Sequence, residues 1–196
     1  MAEIAVPDQS LIVDKQWQLD VPAQSNKSAW TGRTKITGLP GAETWSVKAR
    51  VRLRSSLATQ RPWRAFAMAL RGNQNTFRIR AACNQRTGSN PTVGFGATSG
   101  YSAPLTGLPV STTVLRAGDF MTFALPSGHF RLVCLKADLV SNGSGAATAS
   151  FEPALNEVPS ISSTVETINP FALVRNTSPI VAFSGGDFVI DAVEAI

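Results

Sequence analysis

Residues 63–80 read Trp63-Arg64-Ala65-Phe66-Ala67-Met68-Ala69-Leu70-Arg71-Gly72-Asn73-Gln74-Asn75-Thr76-Phe77-Arg78-Ile79-Arg80. Trp63, Phe66, Ala67 and Leu70 fall at i, i+3, i+4 and i+7, one apolar helical stripe. Pro62 suits a first helical turn, where its missing N–H costs nothing, and Gly72 suits a left-handed stop. The pattern predicts a helix over 61–71. After it, Phe77, Ile79 and Ala81 alternate with Arg78 and Arg80, the period of a strand. A helix of about three turns is marginal alone, so it must dock on a sheet.

The docking surface lies just upstream. Trp45, Val47, Ala49, Val51 and Leu53 alternate strictly with Ser46, Lys48, Arg50, Arg52 and Arg54. One face of this strand is apolar and the other is cationic. Further strands are expected at 11–13, 17–19, 120–125, 130–140, 146–151, 164–168, 171–174, 181–183 and 188–193. Gly38-Leu39-Pro40-Gly41, Ser127-Gly128 and Asn142-Gly143-Ser144-Gly145 mark turns. Glu152-Pro153 should end the strand before it. Residues 84–113 are rich in Gly and Pro and read as a long loop or a set of short strands. The expected fold is mainly β: a β-sandwich with one short helix packed on its sheet, plus a second small β-barrel-like or β-sandwich module. Residues 1–83 with 176–196 form the first unit and 84–175 the second.

The chain has 196 residues, of which 43% are hydrophobic and only 16% charged. That excludes a disordered chain and leaves room for one sizeable domain or two small ones. Residues 1–90 hold 14 Lys and Arg against 5 Asp and Glu, a surplus of +9; residues 91–196 hold 4 against 8, a balance of −4. Such polarity fits nucleic-acid binding, or head-to-tail self-association of basic against acidic halves. The first thirteen residues lack a basic stretch followed by an apolar core, so no signal peptide is expected. No apolar run approaches a membrane span. Cys83 and Cys134 read as two buried thiols rather than a disulfide.

Catalytic chemistry finds no support. His129 sits in a turn with no nucleophile pattern beside it. One His and two distant Cys cannot make a zinc site, and no loop gathers three carboxylates for calcium. Gly94–Gly100 lacks the flanking strand, helix and lysine of a phosphate cradle. No enzyme, no cofactor and no metal are expected. The cations Lys48, Arg50, Arg52 and Arg54, with Arg78 and Arg80, are open to three readings: a solvated face, a protein interface, or a nucleic-acid contact.

Three segments together resemble small tail-tip proteins of long-tailed bacteriophages. They are Trp-x-Ala-Phe-x-x-x-Leu-Arg-Gly-x-x-Asn-x-Phe at 63–77, Leu-x-Ala-Gly-Asp-Phe at 115–120, and the 132–153 hairpin ending in Phe-Glu-Pro. The acidic end Val193-Glu194-Ala195-Ile196 is similar too. The resemblance implies a distal tail protein in the virion, assembled in the host cytoplasm. It implies a homohexameric ring joining the tail tube protein to the tail-tip or baseplate hub, with DNA passing through its lumen and no membrane partner. Lys48, Arg50, Arg52, Arg54, Arg71, Arg78 and Arg80 are then the candidate subunit-interface residues. The alternative is a β-sandwich module binding carbohydrate or a receptor, with Trp17, Trp30 or Trp45 stacking on sugar rings. Trp45 and Trp63 lie on apolar stripes and fit core packing better.

Overall fold

The computed structural model describes residues 2–39, 41–53, 56–81, 86, 88–178 and 187–195. In chain order its strands are β1 (Ile12–Asp20), β2 (Ala23–Lys27), β3 (Thr34–Gly38), β4 (Thr44–Val51), β5 (Thr76–Arg80), β6 (Thr92–Val93), β7 (Gly100–Thr106), β8 (Thr113–Leu115), β9 (Phe120–Ala124), β10 (Phe130–Leu135), β11 (Leu139–Val140), β12 (Ala147–Leu155), β13 (Val165–Glu166), β14 (Phe171–Asn176) and β15 (Phe188–Glu194). The α-helix found among the described residues, α1 (Leu57–Ala69), lies between β4 and β5. The fold is mainly β, a sandwich with one helix and a barrel-like module.

The first sheet is antiparallel, in the order β1-β4-β15-β14-β5. Alternation along β4 turns Trp45, Val47, Ala49 and Val51 into the core. Part of that inner face is covered by α1: Trp63 meets Phe188 edge-to-face at 5.7 Å, and Phe66 meets Phe77 at 5.3 Å. The helix thus docks on the sheet through the stripe read from its sequence. Its limits differ. Ser56 caps it, its Oγ accepting the Ala58 N–H at 3.3 Å, so the helix begins at Leu57 and Pro62 falls inside it. Two left-handed residues, Arg71 (φ 48°) and Gly72 (φ 72°), stop it. Asn75 Nδ2 then donates to the freed Ala69 carbonyl at 2.9 Å.

The second sheet runs β13-β9-β10-β12-β7-β6. A bridge from Thr92 to Thr164 and the Val93 N–H bond to the Ser163 carbonyl bring β6 back beside β13. The sheet therefore nearly closes on itself, around Met121, Phe123, Val133, Leu135, Leu105 and Phe151. Closure leaves few free sheet edges. The outer wall of this barrel, with Leu132, Phe120 and Cys134, packs into the core of the first sheet. Strands β9 and β10 are therefore buried on both faces.

Other differences have simple causes. The short strands expected at 11–13 and 17–19 are one strand, β1, bulged between Val13 and Gln16, where Asp14 takes φ 50°. Pro153 does not end its strand: β12 runs to Leu155, and the proline sits where its ladder to β7 breaks register. The expected strand 130–140 divides into β10 and β11. Strand β14 lies on the second-module side of the expected 175/176 boundary, yet it pairs between β15 and β5 in the first sheet. The strand expected at 181–183, together with Cys83 and Arg54, lies outside the described residues. Cys134 is a half-buried free thiol, and burial pushes its pKa up.

One glycine is held by a close approach. At Gly145 (φ +72°) an added Cβ would sit 2.5 Å from the Leu108 carbonyl oxygen, while Leu108 N–H donates to the Gly145 carbonyl at 3.0 Å. Gly145→Ala is expected to cost at least about 2 kcal/mol through left-handed strain and the clash. Urea denaturation checks this, with Gly143→Ala, which meets nothing within 4 Å, as the mild control.

Candidate functional site

The cations of β4 do face away from the core, as the alternation requires. Lys48 is exposed and Arg50 half-exposed, and Arg52 follows on the same side. The face is not uniformly positive. Arg50 pairs with Asp14 across β1 and approaches Asp187 at 3.8 Å. Asp191 of β15 lies opposite Lys48 in the ladder. Among the described residues, Lys48 and Arg52 have no ion-pair partner.

Arg78 and Arg80 are on the same sheet but not in the same patch. Strand β5 is separated from β4 by β15 and β14, about 14 Å at normal strand spacing. Arg78 is also committed within the subunit. Its Nε lies 2.7 Å from Glu3, and its guanidinium stacks on Phe130 and Phe171 at 4.6 and 4.4 Å from their centroids. Arg80 is exposed and makes no ion pair among the described residues. Arg71 is exposed at the helix stop, away from both strands.

Two features escaped the sequence reading. The first is a buried polar clasp between sheet and barrel. Arg131 of β10 is 1% exposed and Glu194 of β15 is fully buried, with Nη1 and Oε2 2.7 Å apart. Arg131 also donates to the carbonyls of Ala154 (3.1 Å) and Glu43 (2.7 Å). Glu194 accepts the N–H groups of Leu132 (3.1 Å) and Trp45 (3.3 Å). Burial pushes the Glu194 carboxyl above its usual range, opposed by Arg131 and those two N–H groups. The buried Glu43 adds a second tie, accepting the Gly41 N–H at 2.7 Å and the Tyr101 hydroxyl at 2.9 Å. Arg131 stands in the sequence between Phe130 and Leu132, and a cation bracketed by apolar residues was the available signal.

The second is a β-ribbon that leaves the sheet. Pairing of β1 with β4 ends at Asp20 opposite Thr44 and resumes from Ala23 opposite Gly38 to Lys27 opposite Thr34. Every residue from 23 to 39 is exposed. Trp30, in the turn at the tip, is 99% exposed. Of the tryptophans weighed for sugar stacking, Trp45 is in the core, donating its Nε1–H to the Leu132 carbonyl at 2.8 Å, and Trp17 is half-buried against it at 6.2 Å. Trp30 alone of the three is free.

Among the described residues no three His, Cys, Asp or Glu side chains gather into a metal site. A groove of about 390 Å³ beside Arg78 is lined by Thr122, Phe130, Thr164, Glu166 and Phe171, with no nucleophile–base pair in it. No helix among the described residues is long and apolar enough to cross a membrane. A scan of protein-family models finds no match to the chain, and no curated protein matches it at a significant level.

Proposed function

We propose that this chain is a structural virion subunit: a distal tail protein forming a homohexameric ring that joins a phage tail tube to the tail tip or baseplate. The observation that carries the reading is the outer face of the first sheet. It presents Lys48 and Arg52, cations with no ion-pair partner among the described residues, on a strand backed by the α1-covered core. The chain that carries them has a basic first half and an acidic second half. A head-to-tail contact between copies pairs those halves, and six such contacts close a ring. Arg50 flanks that seam, whereas Arg71 and Arg80 stand outside the β4 patch and Arg78 is engaged within the subunit. The barrel is then the outward module. The subunit acts by assembly, without catalysis, cofactor or metal.

Electron microscopy and light scattering of the purified chain test this. Rings with a central hole and a hexameric mass are expected. A monomer at every concentration, with no ring in assembled particles, overturns it. The double substitution Lys48→Glu/Arg52→Glu is expected to yield folded monomers with a thermal midpoint lowered by only a few degrees, because the charges are exposed and the one new repulsion sets a carboxylate at position 48 opposite Asp191. Rings that survive the reversal would move the seam away from β4.

A further inference from the structure

The β2–β3 ribbon has no role in the subunit's own fold. An isolated two-stranded hairpin is marginally stable in water, and this one buries nothing. Five-residue strands carry its tip about 17 Å beyond the sheet.

Its charge is one-signed. Between Asp20 and Glu43 the sequence holds no acidic residue, while Lys27, Arg33 and Lys35 are all present. None of the three has an ion-pair partner among the described residues. The ladder places them around the ribbon. Lys27 faces the same side as Thr34, Lys35 the same side as Asn26, and Arg33 lies in the turn. Cations therefore project from both faces of a narrow rod.

We propose that this ribbon is a contact for duplex DNA, entering a groove edgewise with its cations toward the phosphates of both walls. A two-stranded β-ribbon fits the roughly 12 Å major groove. Lys27, Lys35 and Arg33 supply the electrostatic attraction, and the Asn26 side chain supplies a polar group for the backbone. Trp30 at the tip adds an exposed aromatic surface that can pack against the sugar edge of the groove. The contact is sequence-independent and weak, since it rests on a few cations against phosphate charge. A protein partner fits less well. Apart from Trp30, the exposed large apolar residues of the ribbon and its base are Ile36, Leu39 and Val21, set singly among polar ones, and lysine is depleted in protein interfaces. The proposal does not need the ring. Within a ring, the ribbons would line the path of the DNA.

Fluorescence anisotropy of a short labelled duplex, titrated with the full chain, tests it. Three phosphate contacts give a slope of log K against log salt near −2.7, or roughly forty-fold weaker binding at 200 mM than at 50 mM salt. Lys27→Ala/Arg33→Ala/Lys35→Ala is expected to weaken binding at least ten-fold and flatten that slope. Its thermal midpoint should stay unchanged, since the ribbon touches nothing else. Trp30→Ala should weaken binding only a few-fold. No binding by the native chain at low salt, or an unchanged slope in the triple variant, overturns the proposal. So does a triple variant that loses self-association but keeps DNA binding, which would make the ribbon a protein contact. Ring formation, read separately by microscopy of the same variant, should persist. Loss of DNA binding in intact rings supports the ribbon proposal, and absence of rings in the native chain sinks only the ring.

Discussion

Replacing Arg131 by methionine is expected to destabilise the subunit by about 3–5 kcal/mol, the cost of leaving one member of a buried ion pair without its partner. Glu194 would keep its two backbone donors, Leu132 and Trp45, but lose the neighbouring charge that opposes its burial. The carbonyls of Glu43 and Ala154 would lose their donors as well. The urea midpoint should fall with little change in m, showing lost stability rather than a changed unfolded state. Glu194→Gln alone should also be costly, since both carboxylate oxygens accept hydrogen bonds, the amide turns an NH2 on a donor, and Arg131 is left buried without its partner. The double variant Arg131→Met/Glu194→Gln should be more stable than the sum of the two single losses predicts. Strict additivity would mean that the clasp is two independent side chains and not a coupled pair.

Trp63→Ala should be comparably severe, at about 3–5 kcal/mol for a buried aromatic whose cavity cannot collapse. Trp63 is 1% exposed and contacts Phe66 at 5.5 Å and Phe188 at 5.7 Å. It is one of three large residues, with Phe66 and Leu70, by which α1 holds the sheet. Thirteen residues of helix are too few to persist undocked. Part of the far-UV helical signal should therefore be lost below the main transition, and self-association with it. Met68→Ala, on the exposed side of the same helix, should shift stability by no more than about 0.5 kcal/mol. Equal effects of the two substitutions would mean that the helix is held by something other than its apolar stripe.

What was legible in the sequence was whatever has one wet face and one dry face. Strand β4 and helix α1 each have a buried and an exposed side, so their periods of two and 3.6 residues are written in the residue order. The β2–β3 ribbon has two wet faces. Its strand residues are polar on both sides but for Ala23 and Ile36, and no period marks it. Strands β9 and β10 have two dry faces, and Phe120-Met121-Thr122-Phe123 and Leu132-Val133-Cys134-Leu135 show apolar runs without alternation. They read as strands, but nothing in them told that one side lines a barrel and the other meets the first sheet. The Arg131–Glu194 pair joins residues 63 positions apart, and that meeting is set by the register of two sheets rather than by any local pattern. The candidate cations were visible on β4, whereas the pairing of Arg50 with Asp14 and Asp187 depends on strand order.

Strand β15 lies at the centre of the first sheet and is the last of the strands in chain order. The barrel strands all lie within residues 92–166, one continuous block of chain that precedes β15. The first sheet is completed only by β15. Until residues 188–194 are in place, β4 is paired with β1 alone, its other edge is open, and Arg131 lacks its carboxylate. The surface proposed for assembly is therefore completed last. On the proposed assembly, a product truncated before that strand lacks the completed surface and is expected to be left out.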